Sequence, residues 1–300
     1  MSENSINMTA QSYHENPPHI SEFRRVIRVM SGRKVVVVGA VIIMLMVMVA
    51  IFAPLIAPYS PYKNNLKQAL QPVSSNHLLG TDSLGRDTFS RIVYGSRTSL
   101  MVGIVSIFIA AGIGMLLGLT AGYYGGVYGA IIMRIIDALM AFPMILLALV
   151  IASLLGGGIT NVIIAIGISL TAVYARLMCG QVLAVKENDY VTASRASGAG
   201  NLLIMFRHVF PNCLPPMIVL VTMQLGSAIL AEAGLSFLGV GIAPPGASWG
   251  SMVSDGYKYL LDLPVLSFAP GIAIMLIVFA FNMVGDGLRD ALDPRLRGTV

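Results

Sequence analysis

The sequence predicts an all-α, polytopic membrane protein with six transmembrane helices. Hydrophobic residues make up 56% of the 300-residue chain and charged residues only 11%, with a mean hydropathy of +0.80, whereas ordinary soluble domains carry about 25% charged residues. Apolar stretches of about 18 residues or more recur, each long enough to cross roughly 30 Å of hydrocarbon as a helix. The alternating segments of about 10 residues that a transmembrane β-barrel requires do not occur. The formal charge of +5 comes from basic residues clustered between the apolar runs rather than on one face, which excludes a nucleic-acid footprint.

Taken in order, residues 1–23 are polar, contain Pro17–Pro18 and lack an apolar period, so a mobile cytoplasmic tail is expected. A six-span membrane domain then covers 24–300. Arg24, Arg25, Arg28, Arg33 and Lys34 precede the first apolar run, 35–57. That run is longer than a signal-peptide core and ends at Pro54 and Pro58 without a cleavage site, so it reads as a retained span. Within the polar stretch 58–98, Phe89, Ile92 and Val93 at helical spacing predict a helix lying on the membrane surface. Asp82 and Arg86, four residues apart, predict a local ion pair. The second span, 100–122, carries Gly114, Gly118 and Gly122, with Gly126 continuing the period, a ladder of small residues that lets helix backbones approach closely in lipid.

The third span, 130–155, holds Arg134 and Asp137 near its start and Pro143 near its middle. An ionisable residue inside a span is a functional candidate by default, and a structural Arg134–Asp137 pair near the interface is the competing reading. The triple glycine 156–158 turns the chain into the fourth span, 159–183. The fifth span, 215–240, is interrupted by Gln224 and Glu232, the latter a carboxylate that could meet substrate or simply be wet near the far end. A Pro/Gly-rich loop with the only tryptophan, Trp249, leads to the sixth span, 264–284.

Between the fourth and fifth spans lies a polar island, 186–212. Asp189 is placed to cap a short helix and Gly198 to end it in the left-handed conformation. The helix would have about two turns, roughly 13 Å in length, with a surface of small side chains from Ala193, Ser194, Ala196 and Ser197. A second short segment is expected to stop at Pro211. Such a smooth helix suits docking into a groove on another protein, and an ordinary loop helix lying on the membrane surface is the competing reading. With the N-terminus inside, inner segments hold thirteen Lys and Arg residues and outer segments six. The excess favours both termini in the cytoplasm and the island on the same side.

Chemistry of other kinds is missing. The sequence has no phosphate-cradling G-x-x-x-x-G-K-[ST] loop, no H-E-x-x-H and no C-x-x-C. Cys179 and Cys213 are too few for a disulfide scaffold, and the four histidines show no metal-ligand spacing, so no cofactor or metal is expected. The chain is not expected to be an enzyme, and any ATP hydrolysis must belong to a separate chain.

The island resembles the loop of bacterial ABC importer permeases whose pattern is Glu-Ala-Ala, three residues, Gly, nine residues, Ile-x-Leu-Pro. Thr192, Ala193 and Ser194 stand at the Glu-Ala-Ala positions, Gly198 and Pro211 at the Gly and Pro, and His208 and Phe210 at the Ile and Leu. The glutamate is replaced by Thr192. Three further stretches resemble the dipeptide, oligopeptide, glutathione and nickel branch of that family: LGTDSLGRD from Leu79 to Asp87, LSFLGVG from Leu235 to Gly241 leading to Trp249–Gly250, and GDGLRDALDP from Gly285 to Pro294. The likeness extends from about residue 24 to 297.

The resemblance implies a type I ABC importer permease fold in the bacterial inner membrane. It implies three kinds of partner besides the lipid: a second, homologous permease that completes the translocation path, two ABC ATPase subunits, and an extracytoplasmic solute-binding protein. By the same resemblance the 189–211 loop is the ATPase-coupling element, with Tyr190, Thr192, Ala193, Ser194, Gly198, His208 and Pro211 as its contacts. Asp137 and Glu232 are candidates for the translocation path. The competing class is a stand-alone secondary transporter or channel, which would need polar groups near the middle of several spans.

Overall fold

The computed structural model describes residues 22–242 and 244–292. The expected mobile tail falls outside them but for its last two residues, which open the first helix, and Asp293 and Pro294 of the closing motif also lie outside. The order is α1 Glu22–Gly32, α2 Lys34–Ile51, α3 Ala53–Ile56, a 3-10 turn at Leu66–Gln68, α4 Thr88–Tyr124, α5 Gly126–Met140, α6 Met144–Leu155 and α7 Ile159–Val185. There follow α8 Asp189–Ala196, α9 Asn201–Leu203, a π-helical stretch Ile204–Val209, α10 Phe210–Phe237, α11 Trp249–Tyr257 and α12 Val265–Leu292. Five described helical stretches are long and apolar enough to cross a membrane: α2, α4, α7, Asn201–Phe237 and α12. The consecutive α5 and α6, at 15 and 12 residues too short to cross singly, are long and apolar enough only as a pair, which meets at a bend of 92°. Within the span expected over 130–155, Pro143, a residue able to break the helix ladder, stands at the break and precedes α6.

The centre of the molecule is the contact between α4 and α7. A Cβ on Gly114 would stand 2.6 Å from the Thr171 carbonyl oxygen, one on Gly118 2.3 Å from that of Ala175, and one on Gly122 2.9 Å from Val182 Cβ. These three glycines therefore set backbone against backbone, as their four-residue spacing predicts. Gly126 does not extend the ladder: it follows the turn at Gly125 with φ +56° and open space around it. Around this seam Ile107, Leu119, Ile166, Leu170, Tyr174 and Met178 form a buried core that reaches α10 through Cys213, Met217 and Leu235. A second core gathers Leu100 of α4, Ile229 of α10, Trp249 of α11 and Ile274, Ile277 and Phe281 of α12.

The helix expected to lie on the membrane surface is instead the beginning of α4, which at 37 residues is about 55 Å long and projects well beyond a roughly 30 Å hydrocarbon layer. Asp87 caps it, accepting from the Ser90 amide at 2.8 Å. The projecting turns are enclosed by residues 58–87. Arg91 is 2% exposed and donates to the Pro61 carbonyl at 3.1 Å. The Asp82–Arg86 pair, 2.7 Å apart, is joined by Arg91 at 3.4 Å from Asp82, so the sequence-local pair is the start of a buried cluster. Trp249 closes the same region, its indole N–H donating to the Ile92 carbonyl at 3.0 Å. The Phe89, Ile92 and Val93 period thus serves packing against protein rather than lipid.

Replacing Gly118 with alanine should push α4 from α7 and destabilise the protein by about 1–3 kcal/mol, as overpacking of a close seam does. Gly112, on the same helix with nothing within 4 Å of its notional Cβ, should accept alanine without loss. Thermal unfolding of the two variants in detergent checks the difference.

Candidate functional site

The polar island folds as a short helix, a turn and a helical arm. Asn188, in extended conformation, precedes α8, and Asp189 is the first helical residue rather than the cap. Its carboxylate still lies in the first turn, where a negative charge favours the helix dipole. Gly198, at φ +81°, ends the helix in the left-handed region. Its amide donates to Arg195 at 3.0 Å and that of Ala199 to Ser194 at 3.2 Å, the paired bonds of a Schellman stop.

The return arm does not stop at Pro211. From Asn201 the chain is helical without interruption to Phe237, 37 residues. Through Ile204–Val209 the turns are π-helical, and the Phe210 amide donates to the Met205 carbonyl. The wider turn leaves room for the Pro211 ring, which in an α-helix would strike the carbonyl of Arg207. Asn212 Nδ2 donates to the His208 carbonyl at 2.7 Å, taking up an acceptor in the same disturbed turn. The segment is therefore helically continuous with a membrane helix.

It is pinned to the bundle from one side. Val191, Ile204, Met205 and Val209 are buried in the main core. Lys186 Nζ donates to the Gly122 carbonyl at 3.1 Å, and the Tyr123 hydroxyl to Asn201 Oδ1 at 3.1 Å, so the C-terminal ends of α4 and α7 share the face that carries α8. The other side is open. Tyr190, Thr192, Ala193 and Gly198 are exposed and Ser194 is half-buried. Leu202, Leu203 and Phe206 of the return arm are 65%, 50% and 49% exposed. Small residues beside three exposed apolar side chains make a surface fit for another protein. His208 is half-buried on the π-helical arm. Pro211 lines a groove of about 740 Å³ with Leu177 and Gln181 of α7, Pro215 of α10, and Arg289 of α12. The seven residues thus divide between α8's open face with its stop and the return arm. Leu202, Leu203 and Phe206 escaped sequence reasoning, although apolar residues at i, i+1 and i+4 inside a polar island are a readable signal.

The two path candidates part company. Glu232 is fully buried, not wet. It accepts from the Ser99 hydroxyl at 3.1 Å and from that of Ser236 at 2.8 Å, and Ser99 Oγ in turn accepts from the Trp249 amide at 3.3 Å. It ties α10 to α4 and to the N-terminus of α11. Asp137 pairs with Arg176 of α7 rather than with Arg134, and both side chains remain nearly half exposed.

The model of the binding-protein-dependent transport system inner membrane component family matches residues 114–298, and that of the N-terminal transmembrane domain of oligopeptide transport permease C matches 21–72. The dipeptide transport system permease protein of Alkalihalophilus pseudofirmus is 43% identical over 278 residues, covering 93% of this chain and 91% of the relative. The di/tripeptide transport system permease protein of Pseudomonas aeruginosa is 44% identical over 86% of this chain and 88% of its own length. The glutathione transport system permease protein of Escherichia coli is 43% identical over 87% of this chain and 86% of its own. Among solved structures, a chain of the MetNI methionine ABC transporter in an inward-facing conformation aligns with a TM-score of 0.55 at 20% identity, covering 68% of this chain and 96% of that one. That likeness establishes the type I permease fold.

Glu232→Gln keeps an acceptor for one serine and offers an N–H to the other hydroxyl oxygen, and should leave folding and activity near normal. Glu232→Leu strands the Ser99 and Ser236 hydroxyls and should cost about 1–3 kcal/mol. Melting of both variants in detergent tests the anchoring role, and an equal fall for both would point to the charge itself.

Proposed function

The chain belongs to the family of binding-protein-dependent transport system inner membrane components, and from that premise we propose that it is one of two permeases of an ATP-driven importer for di- or oligopeptides or closely related small solutes. The names of the relatives, which include dipeptide, di/tripeptide and glutathione permeases, support this substrate class. A second, homologous permease completes the path, two ABC ATPase chains bind the face that carries α8, and an extracytoplasmic binding protein delivers the solute. The thirteen-to-six distribution of Lys and Arg supports placing both termini and the 186–212 segment in the cytoplasm.

The observation that carries the coupling role is the continuity of the segment: an open surface of small residues on α8, packed through Val191 on a return arm that runs unbroken into α10. When the ATPase pair closes, a push on α8 reaches α10 through this arm, which stays helical from Asn201 to Phe237 through Pro211, Pro215 and Pro216. Gly198 lets α8 stop and reverse within one residue. Pro211 and the π-helical turn fix the angle at which the arm enters the membrane. Thr192, at the position of the family's glutamate, supplies a hydroxyl to that surface in place of a charge.

Ala193→Trp should leave the chain folded, since the side chain enters open space, yet cut ATP-driven uptake at least tenfold and loosen the ATPase in detergent. Gly198→Asp, which strains the left-handed stop, should uncouple hydrolysis from uptake. Proteoliposome assays of the assembled transporter measure both, and normal uptake by both variants would remove the segment from the coupling role.

A further inference from the structure

The ion pair of Asp137 and Arg176 joins the interiors of α5 and α7. The Lys186 bond to the Gly122 carbonyl and the turn at Gly125 bring the start of α5 and the end of α7 to one face of the protein. At 1.5 Å per residue, Asp137 is about 16 Å along α5 from that face and Arg176 about 14 Å back along α7. Both residues thus lie several turns inside their helices rather than at that face. The side chains are 44% and 45% exposed, so the rest of this chain does not cover them. Charges at this depth are strongly disfavoured against acyl chains and occur facing protein or a water-filled cavity.

A second observation coincides with the first. The sixth crossing breaks one turn beyond Asp137, at Ala141–Pro143, with the 92° bend between α5 and α6. All three residues of the break are exposed, as is Met140. Two helix ends meeting there leave backbone groups without intrahelical partners. Irregular backbone at membrane depth is tolerated where protein buries it or where it lines water. Asp137 and Ala141, four residues apart, share a helix face.

We propose that Asp137, Arg176 and the break at Ala141–Pro143 line the translocation path, and that the pair is an exchangeable contact for a zwitterionic solute. The proposal rests on the import reading above. A peptide's free ammonium group takes Asp137 and its carboxylate takes Arg176, whose planar fork suits a carboxylate, and the two side chains rejoin as the solute leaves. A half-exposed pair is weakly held, so exchange is easy in both directions. The path then offers complementary charges without a deep binding site, while the pair satisfies itself when the path is empty.

The test uses the assembled transporter, with its ATPase and binding protein, in proteoliposomes. In a background carrying Cys179→Ala and Cys213→Ala, Ala141→Cys should react with a membrane-impermeant methanethiosulfonate at least tenfold faster than Met44→Cys on α2, and at a rate that changes with ATP. Labelling of Ala141→Cys no faster than Met44→Cys would overturn the path assignment and give this face to the second permease or to lipid. For the exchange, Asp137→Asn and Arg176→Gln should each lower uptake of a free dipeptide at least tenfold relative to its N-acetylated, C-amidated counterpart, with partial recovery in Asp137→Arg/Arg176→Asp. Equal effects on both solutes, or none, would overturn it. Absence of peptide uptake by the wild-type complex would overturn the import reading and the exchange with it, whereas the labelling still decides whether the face is wet.

Discussion

Backbone contact between α4 and α7 is the constraint on which the rest depends. In lipid there is little hydrophobic force to bring two helices together, so close packing of small residues has to do it. Gly114, Gly118 and Gly122 remove the side chains that would hold the helices apart. The seam then fixes three things at once. It brings Gly122 to Lys186 and Tyr123 to Asn201, which pins the segment between α7 and α10. It sets α7 where Arg176 meets Asp137. At its other end it delivers Ser99 to Glu232 and Ile92 to Trp249.

The two ends of the bundle solve different problems. At the end carrying α11, buried polar groups lock elements together: Asp82 with Arg86 and Arg91, Asp87 with His77 at 2.9 Å, and Glu232 with two serines. Each buried charge has a partner, as burial demands. At the end carrying α8, one face is anchored by Val191, Ile204 and Met205 while the other is left open. A continuous helical arm with an uncovered tip is the form expected of an element that moves as a body when a partner pushes it, and the π-helical turns keep the arm helical through a proline that would otherwise break it.

Features that depend on local chemistry or on periodicity were legible in the sequence. The apolar runs, the glycine ladder through Gly122 and the left-handed stop at Gly198 are of this kind, as is the Asp82–Arg86 pair. Features that depend on which distant residue arrives alongside were not. Pro211 reads as a stop because a proline forbids the next α-helical bond, and nothing local announces that a π-helical stretch will absorb it. Glu232 reads as an exposed carboxylate, because the hydroxyl of Ser99 that seals it lies 133 residues away. Arg134 looks like the natural partner of Asp137 by proximity in sequence, yet the α4–α7 seam puts Arg176 there. The period of Phe89, Ile92 and Val93 gives the correct helix and the wrong environment, since periodicity does not distinguish lipid from the covering segment 58–87.

The central claim is that α8 is the contact through which an ATP-hydrolysing partner drives this permease. The most direct measurement places a photo-reactive residue at Ala196, exposed on α8, and identifies by mass spectrometry what is crosslinked to it in the native membrane. The account predicts a single major product with an ATP-binding chain, formed to a different extent with and without ATP. Crosslinks to lipid alone, in cells that still take up the solute, would contradict it.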